Sequence, residues 1–275
     1  MPFASISGGL PRHPAVATLE IMTSTSLITG ASSGIGTEYA RQLARRGDLL
    51  VLVARDATRL EELIAELTRE GAADVEVLAA DLSSPDGIAA VTDRLTDPDR
   101  PVETLINSAG FGLPLAFETN DIEDEVRHLR LHDEVPMRLM HAVLPSMLAR
   151  RSGTILTIAS ASAVMPRSTY AACKAWLVMF SRWANTQYRS RGVTVTAVCP
   201  GYTHTDFHAR LGLPKGKEGI PSWLWLEAPR VVTESLRDVE RGKAVSVPSR
   251  RYRAIYTVAG FAPSGLVARL AARGR

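Results

Sequence analysis

Cysteine is nearly absent: Cys173 and Cys199 are the only two in 275 residues, and they form no C-x-x-C pattern. A disulfide framework and a cysteine-based zinc site are therefore not expected, and a reduced, cytoplasmic setting fits. A surplus of one charge is also missing, since 32 Lys and Arg stand against 29 Asp and Glu for a formal net charge of +3. Such a mixed surface does not demand a nucleic-acid partner. Long apolar runs are lacking, and none approaches the roughly 20 residues of a membrane span. Pro2, Pro11, Arg12, His13 and Pro14 break up the start of the chain, so no leader is expected there. Residues 1–21 are read as a flexible extension, with Met22 a plausible alternative start. There is no internal repeat, no low-complexity block and no metal-ligand cluster. His204 and His208 stand four apart but lack the glutamate of HExxH and begin in a loop, so no metal is expected.

What is present is a chain with 45% hydrophobic residues, enough for one domain with a substantial core. It is organised around Thr29–Gly36, TGASSGIG, which follows the apolar pair Leu27 and Ile28 and opens a helical pattern at Tyr39, Leu43 and Ala44. A strand that ends in glycines and runs into a helix offers unpaired N–H groups and the positive end of a helix dipole, which together bind phosphate. Gly30 permits the turn, Gly34 lets a pyrophosphate approach the backbone, and Gly36 lets the helix pack close to the sheet. The ligand this suggests is a dinucleotide, although the same turn also serves as plain structure.

Alternating patterns continue along the chain. Leu49–Ala54 is an apolar run of strand length that stops at Arg55. In a dinucleotide fold the residue past the second strand meets the adenosine ribose, where an arginine accommodates a 2′-phosphate. Arg55 therefore favours NADP(H) over NAD(H), unless it pairs with a local carboxylate and Asp56 takes the ribose. Leu60, Leu63, Ile64 and Leu67 predict a helix, Val75–Leu82 a third strand with its end at Asp81, Pro85 a helix start, and Pro101–Ile106 a fourth strand leading into Asn107, Ser108, Ala109 and Gly110. A long helical region is expected from Thr119 to Arg150, bent at Pro136. It is followed by a strand over Thr154–Ala159, a helix from Tyr170 to Tyr188 and a strand over Val193–Val198. Pro229 to Glu240 predicts a further helix and Ala244–Val247 a last strand. This alternation predicts an α/β fold with a doubly wound parallel sheet, in three α/β/α layers of Rossmann type. A single domain over residues 22–249 is expected, with a substrate loop at about 202–227 and a basic tail over 250–275.

Tyr170 and Lys174 lie one helical turn apart, and an ammonium beside a phenol is expected to stabilise the phenolate and lower its pKa. Ser160, at a strand's carboxyl end, is positioned to hold a carbonyl or alcohol oxygen. Taken together, TGASSGIG, Asp81, Asn107–Gly110, the serine-ended strand, Tyr170–Lys174 and the Pro200–Gly201 segment resemble the short-chain dehydrogenase/reductase family over roughly Thr25 to Phe207.

That resemblance implies that Thr29, Gly30, Ser32, Gly34, Ile35 and Gly36 hold the pyrophosphate and that Asp81 and Leu82 meet the adenine. It implies that Asn107, Ala109 and Gly110 line the adenosine side, and that Pro200, Gly201, Thr203 and Thr205 position the nicotinamide. Tyr170 is the implied general acid or base, Lys174 its partner on the nicotinamide ribose, and Ser160 the orienting hydroxyl. The sequence departs from the family twice. His132 stands where the family has a relay asparagine, either relaying protons in its place or simply packing in a helix. Ser160 precedes Tyr170 by fewer residues than is usual, with Thr157 and Ser162 as the other candidates. A pocket of Phe111, Leu113, Met165, Tyr202, Phe207, Trp223 and Trp225 implies a small hydrophobic ketone or secondary alcohol, though the two tryptophans also fit the core or a subunit contact. A homodimer or homotetramer is implied. The arginine-rich tail with Ile255, Phe261, Leu266, Val267 and Leu270 packs on the domain, on a second subunit, or peripherally on a membrane. The alternative function is a nucleotide-binding scaffold of the same fold with little turnover, and a less favoured one is an isomerase or dehydratase using bound cofactor.

Overall fold

Strand and helix alternate as the apolar pattern predicts, in a computed structural model that describes residues 24–207, 219–263, and 265, 267 and 269. The chain runs β1 (Thr25–Thr29), α1 (Gly34–Ala44), β2 (Leu49–Ala54), α2 (Ala57–Glu70), β3 (Asp74–Ala79), α3 (Pro85–Thr96) and β4 (Thr104–Asn107). It continues with α4 (Ile122–Leu129), one π-helical turn (Arg130–Glu134), α5 (Val135–Arg150), β5 (Gly153–Ile158), α6 (Thr169–Tyr188) and β6 (Val193–Val198). α7 (Ala228–Glu240), β7 (Val245–Ser246) and α8 (Arg250–Phe261) complete it. The strands form one sheet in the order β3-β2-β1-β4-β5-β6-β7, parallel at every pairing. The order reverses between β1 and β4, so a cleft opens at their carboxyl ends, beside the glycine turn.

The inner strands read as continuous apolar runs because helices cover both faces. Leu27, Val51, Leu105 and Ile155 face one way, against Val91 and Leu95 of α3 and Leu139, Val143 and Met147 of α5. Their neighbours Ile28, Leu52, Ile106 and Leu156 face the other way, against Tyr39 and Leu43 of α1, Leu60 and Leu67 of α2, and Val232 and Leu236 of α7. Burying each such side chain contributes about 1.5–3 kcal/mol. This two-sided packing is what holds the carboxyl ends of β1, β4 and β5 in fixed register.

Several boundaries differ from expectation, each for a local reason. β3 stops at Ala79, because Asp81 turns the chain: its backbone carbonyl accepts from Ser84 N at 3.0 Å and its side chain from Ser83 N at 2.9 Å. β4 begins at Thr104 rather than Pro101, whose ring nitrogen cannot donate to a ladder. Thr119 belongs to a turn on the Ala116 carbonyl, and α4 starts only after Asp121, which caps it by accepting from Glu123 N at 2.9 Å. The bend expected at Pro136 is realised as the π turn just before it. No helix among the described residues is long and apolar enough to cross a membrane. The tail forms α8, with Tyr252 and Tyr256 buried against the domain and Phe261 exposed. The expected extension over residues 1–21, Met22, His208, most of the substrate loop's centre, Leu266 and Leu270 lie outside the described residues.

Candidate active site

The glycine turn is built by close approach. Gly30 has φ +67, and a Cβ there would lie 2.8 Å from Ala109 Cα. Gly34 has φ +60, and its Cβ would meet Thr205 at 3.1 Å, so the segment after β6 stands over the turn. Gly36 differs from expectation: what its missing side chain leaves room for is the Gly30 carbonyl oxygen, 2.2 Å from where a Cβ would sit, rather than the sheet. No side chain caps α1, so its leading N–H groups stay available to an anion. Thr29 is turned inward: its hydroxyl accepts from Ser108 N at 3.0 Å and Ala109 N at 3.1 Å while donating to Ile106 O. It therefore ties β1 to the segment after β4 instead of facing a phosphate.

Asn107 closes the floor of the cleft. It is buried, and neither side-chain amide atom has a protein partner. Burying an amide unpaired is costly, so this group is suited to a polar ligand or water in the cleft. On the adenosine side Arg55 is exposed past β2, while Asp56 caps α2 by accepting from Arg59 N at 3.0 Å. Asp81 is exposed at the end of its turn and Leu82 is buried beside it. A helix whose N-cap Ser33 makes no side-chain capping bond, a turn without Cβ atoms and an orphaned amide together fit a nicotinamide dinucleotide.

β5 delivers Ser160 two residues past its end, and Ser168 caps α6 by accepting from Ala171 N at 3.1 Å, which sets Tyr170 in the first helical turn. Ser160 Oγ accepts from Ser162 N at 3.1 Å and Ser162 Oγ at 2.9 Å, leaving its own proton to donate. Thr157 is excluded as an alternative because it is buried inside β5 against Met140. Lys174 Nζ donates to Ile158 O at 2.6 Å and lies 5.4 Å from the centre of the Tyr170 ring.

Burial reverses the expected pKa effect. Desolvation pushes Tyr170 up to about 12 against the lowering effect of its hydrogen bond with Ser160. Desolvation also brings Lys174 down to about 8, with the charge of Asp133 the largest opposing influence. The phenol therefore holds its proton at neutral pH, as an acid must, and the ammonium does not produce a phenolate here.

His132 lies in the π turn, buried, with Nε2 2.7 Å from Phe111 O. The Phe111 N–H also points at Nε2 from 3.3 Å, so the tautomer sets which of the two backbone groups Nε2 bonds, and Nδ1 is buried without a protein partner in either case. Its ring is 5.6 Å from Tyr170 and 4.3 Å from His128. Gly110 is required beside it, since a Cβ there would lie 2.5 Å from the imidazole. Desolvation keeps both histidines neutral, His128 at about 4 and His132 well below its ordinary value. The sequence did not single out His128 or Asp133, although His128 precedes His132 by one helical repeat and so shares its face. Asp133 is pushed up to about 6 by burial and hydrogen-bonds Cys173.

Phe207 lies 5.8 Å from the Tyr170 ring, while Phe111 packs behind it on His128 at 5.4 Å and His132 at 6.2 Å. Leu113 and Met165 are half-buried. Tyr202 and Trp225 instead pack on each other at 5.7 Å, Trp225 stacks on His204 at 4.6 Å, and Trp223 is exposed. Cys173 and Cys199 are buried thiols pushed up to about 12 by desolvation, so they are packing groups. The described residues contain no group of three or more His, Cys, Asp or Glu arranged to hold a metal.

The short chain dehydrogenase family model matches residues 24–215. A short-chain dehydrogenase from Sphingobium yanoikuyae, solved in complex with NADPH, is 36% identical, with a TM-score of 0.79 over 89% of this chain and 95% of that one. The bulky-bulky ketone specific alcohol dehydrogenase from Comamonas testosteroni is 31% identical, with a TM-score of 0.73 over 86% of this chain and 91% of that one. The very-long-chain 3-oxoacyl-CoA reductase of Anas platyrhynchos is 31% identical over 66% of this chain, which spans 60% of that relative's length. Because the match runs without a break from the glycine turn through the tyrosine–lysine helix, the chain belongs to the short chain dehydrogenase family and is an NAD(P)-dependent oxidoreductase.

Proposed function

We propose that the protein is an NADP(H)-dependent carbonyl reductase acting on a small hydrophobic ketone, or on the matching secondary alcohol in reverse. The observation that carries this reading is a neutral, half-buried phenol hydrogen-bonded to Ser160, with the rings of His132 and Phe207 on its flanks. When bound, the nicotinamide supplies the hydride to the carbonyl carbon or takes it back. Ser160 turns its proton from the Tyr170 oxygen to the carbonyl oxygen and fixes its position, and Tyr170 transfers its Oη proton to that oxygen as negative charge develops there. Lys174 holds the nicotinamide ribose, and its charge favours the phenolate left after transfer. His132 replaces the family's asparagine as a fixed neutral imidazole behind this group, held at Nε2 by the backbone of Phe111. Gly30, Ser32, Gly34, Ile35 and Gly36 cradle the pyrophosphate, while Asn107, Ala109 and Gly110 line the adenosine side. Asp81 and Leu82 meet the adenine, and Pro200, Gly201, Thr203 and Thr205 meet the nicotinamide.

Arg55 carries the cofactor preference. Charge-assisted bonds to a 2′-phosphate are worth about 1.5–3 kcal/mol, or roughly 10–100-fold in affinity. Arg55→Ala is expected to weaken NADPH by that factor and leave NADH unchanged, as read by nicotinamide fluorescence titration. Equal losses for both would assign the ribose site elsewhere.

The catalytic domain of this reading, residues 22–249, takes in α8 as well, since Tyr252 and Tyr256 are buried in its core, and the protein works in the cytoplasm, where thiols stay reduced. A second copy of the chain covers Trp176, Met179 and Trp183, which are exposed along α6, to give a homodimer or homotetramer.

A further inference from the structure

The outgoing and returning stems of the segment between β6 and α7 meet at one side chain outside both. Tyr252, in the first turn of α8, is 4% exposed, and its hydroxyl is fully used. It accepts from Tyr202 N at 3.1 Å on the outgoing stem and donates to Leu224 O at 2.8 Å on the returning one. Its neighbour Arg251 donates to Trp223 O, so two consecutive residues of α8 grip two consecutive carbonyls. The ring lies against Gly201, where a Cβ would fall 1.9 Å from Cζ. Below this clasp the stems pair with each other through Leu226 N to Tyr202 O at 2.8 Å and His204 N to Leu226 O at 2.9 Å. The clasped backbone leads directly to Thr205, which stands over Gly34.

We propose that Tyr252 is a positioning residue, whose single hydroxyl locks both stems together and thereby holds Gly201–Thr205 at the height over the glycine turn that the nicotinamide end requires. The functional part rests on the reading that Gly201, Thr203 and Thr205 meet the cofactor; the clasp itself does not. Burial pushes the Tyr252 hydroxyl up to about 12, so it remains both donor and acceptor across the physiological range. Without it, the Tyr202 N–H and Leu224 carbonyl lose their shared partner, and the stems gain freedom where the cofactor needs them ordered.

Tyr252→Phe keeps the ring on Gly201 and removes only the hydroxyl. NADPH Kd and ketone KM are expected to rise about 10-fold while kcat stays within about threefold, with Tyr202 amide exchange faster by a similar factor. A folded variant with wild-type Kd, KM and Tyr202 exchange would overturn the proposal, even with a lowered Tm, because a purely structural tyrosine affects only stability. Should the variant not fold, exchange in the wild-type protein decides. Tyr202 and Leu226 amides protected to the same extent support the clasp, and a Tyr202 amide exchanging at the unprotected rate refutes it. Should no ketone be turned over, the amide exchange and NADPH titration still test the clasp, and only the carbonyl-reductase reading fails.

Discussion

Tyr170→Phe is expected to lower kcat for ketone reduction by at least about 10³-fold while leaving NADPH affinity within about twofold of wild type. The substitution removes one oxygen from a side chain whose ring remains packed between His132 and Phe207, so the walls of the site keep their places. What disappears is the one acid that Ser160 is aligned with and that burial keeps protonated. Stopped-flow loss of nicotinamide absorbance, paired with a fluorescence titration, checks both halves. A variant retaining more than a tenth of the rate would remove Tyr170 from proton transfer. The pH dependence follows from Lys174, whose ammonium is present below about 8 and lost above it. The wild-type reductive rate is accordingly expected to fall as pH rises through that value, and a level profile to pH 9.5 would show that its charge does not matter.

Gly36→Ala is expected to weaken NADPH binding about 100-fold without disturbing secondary structure. Gly36 does not have a positive φ, so the added methyl causes no backbone strain and its whole effect is steric. It would fall 2.2 Å from Gly30 O, an atom of the turn itself, and the turn must move because a backbone carbonyl cannot rotate away like a flexible side chain. Overpacking of this kind costs roughly 1–3 kcal/mol, and here the displaced atoms are those that receive the pyrophosphate. Circular dichroism and a fluorescence titration on the same sample separate lost affinity from lost fold. Retained affinity would mean that the turn tolerates displacement and does not shape the phosphate site.

How far the chain could be read before its structure depended on whether a residue's neighbours lie close in sequence. The limits of β2 and β6 matched the runs Leu49–Ala54 and Val193–Val198, because strands covered on both faces are built mostly of apolar and β-branched residues; the one buried hydroxyl in β6, on Thr196, is satisfied by the Lys243 carbonyl. Tyr170, Lys174 and Ser160 came together because a helix start and a strand end are local devices. Long-range facts were not legible. That Thr29 would spend its hydroxyl on Ser108 and Ala109, or that Gly36 would accommodate the Gly30 carbonyl, follows from the turn's closure in space. The direction of the Tyr170 shift was missed because the four-residue spacing gives the nearness of Lys174 but not the depth of burial, and desolvation is the larger effect. Tyr252 gave no signal at all in a tail read for its arginines, since its partners lie 50 and 28 positions away.

The central claim is that the protein reduces hydrophobic ketones with NADPH. The most direct test is NADPH oxidation by the full-length protein across a panel of aryl and long-chain ketones, with NADH in parallel. At least one ketone is expected to be turned over, with kcat/KM at least about tenfold higher for NADPH than for NADH. Tight NADPH binding with no oxidation by any ketone would contradict it and leave a nucleotide-binding scaffold built on the same fold.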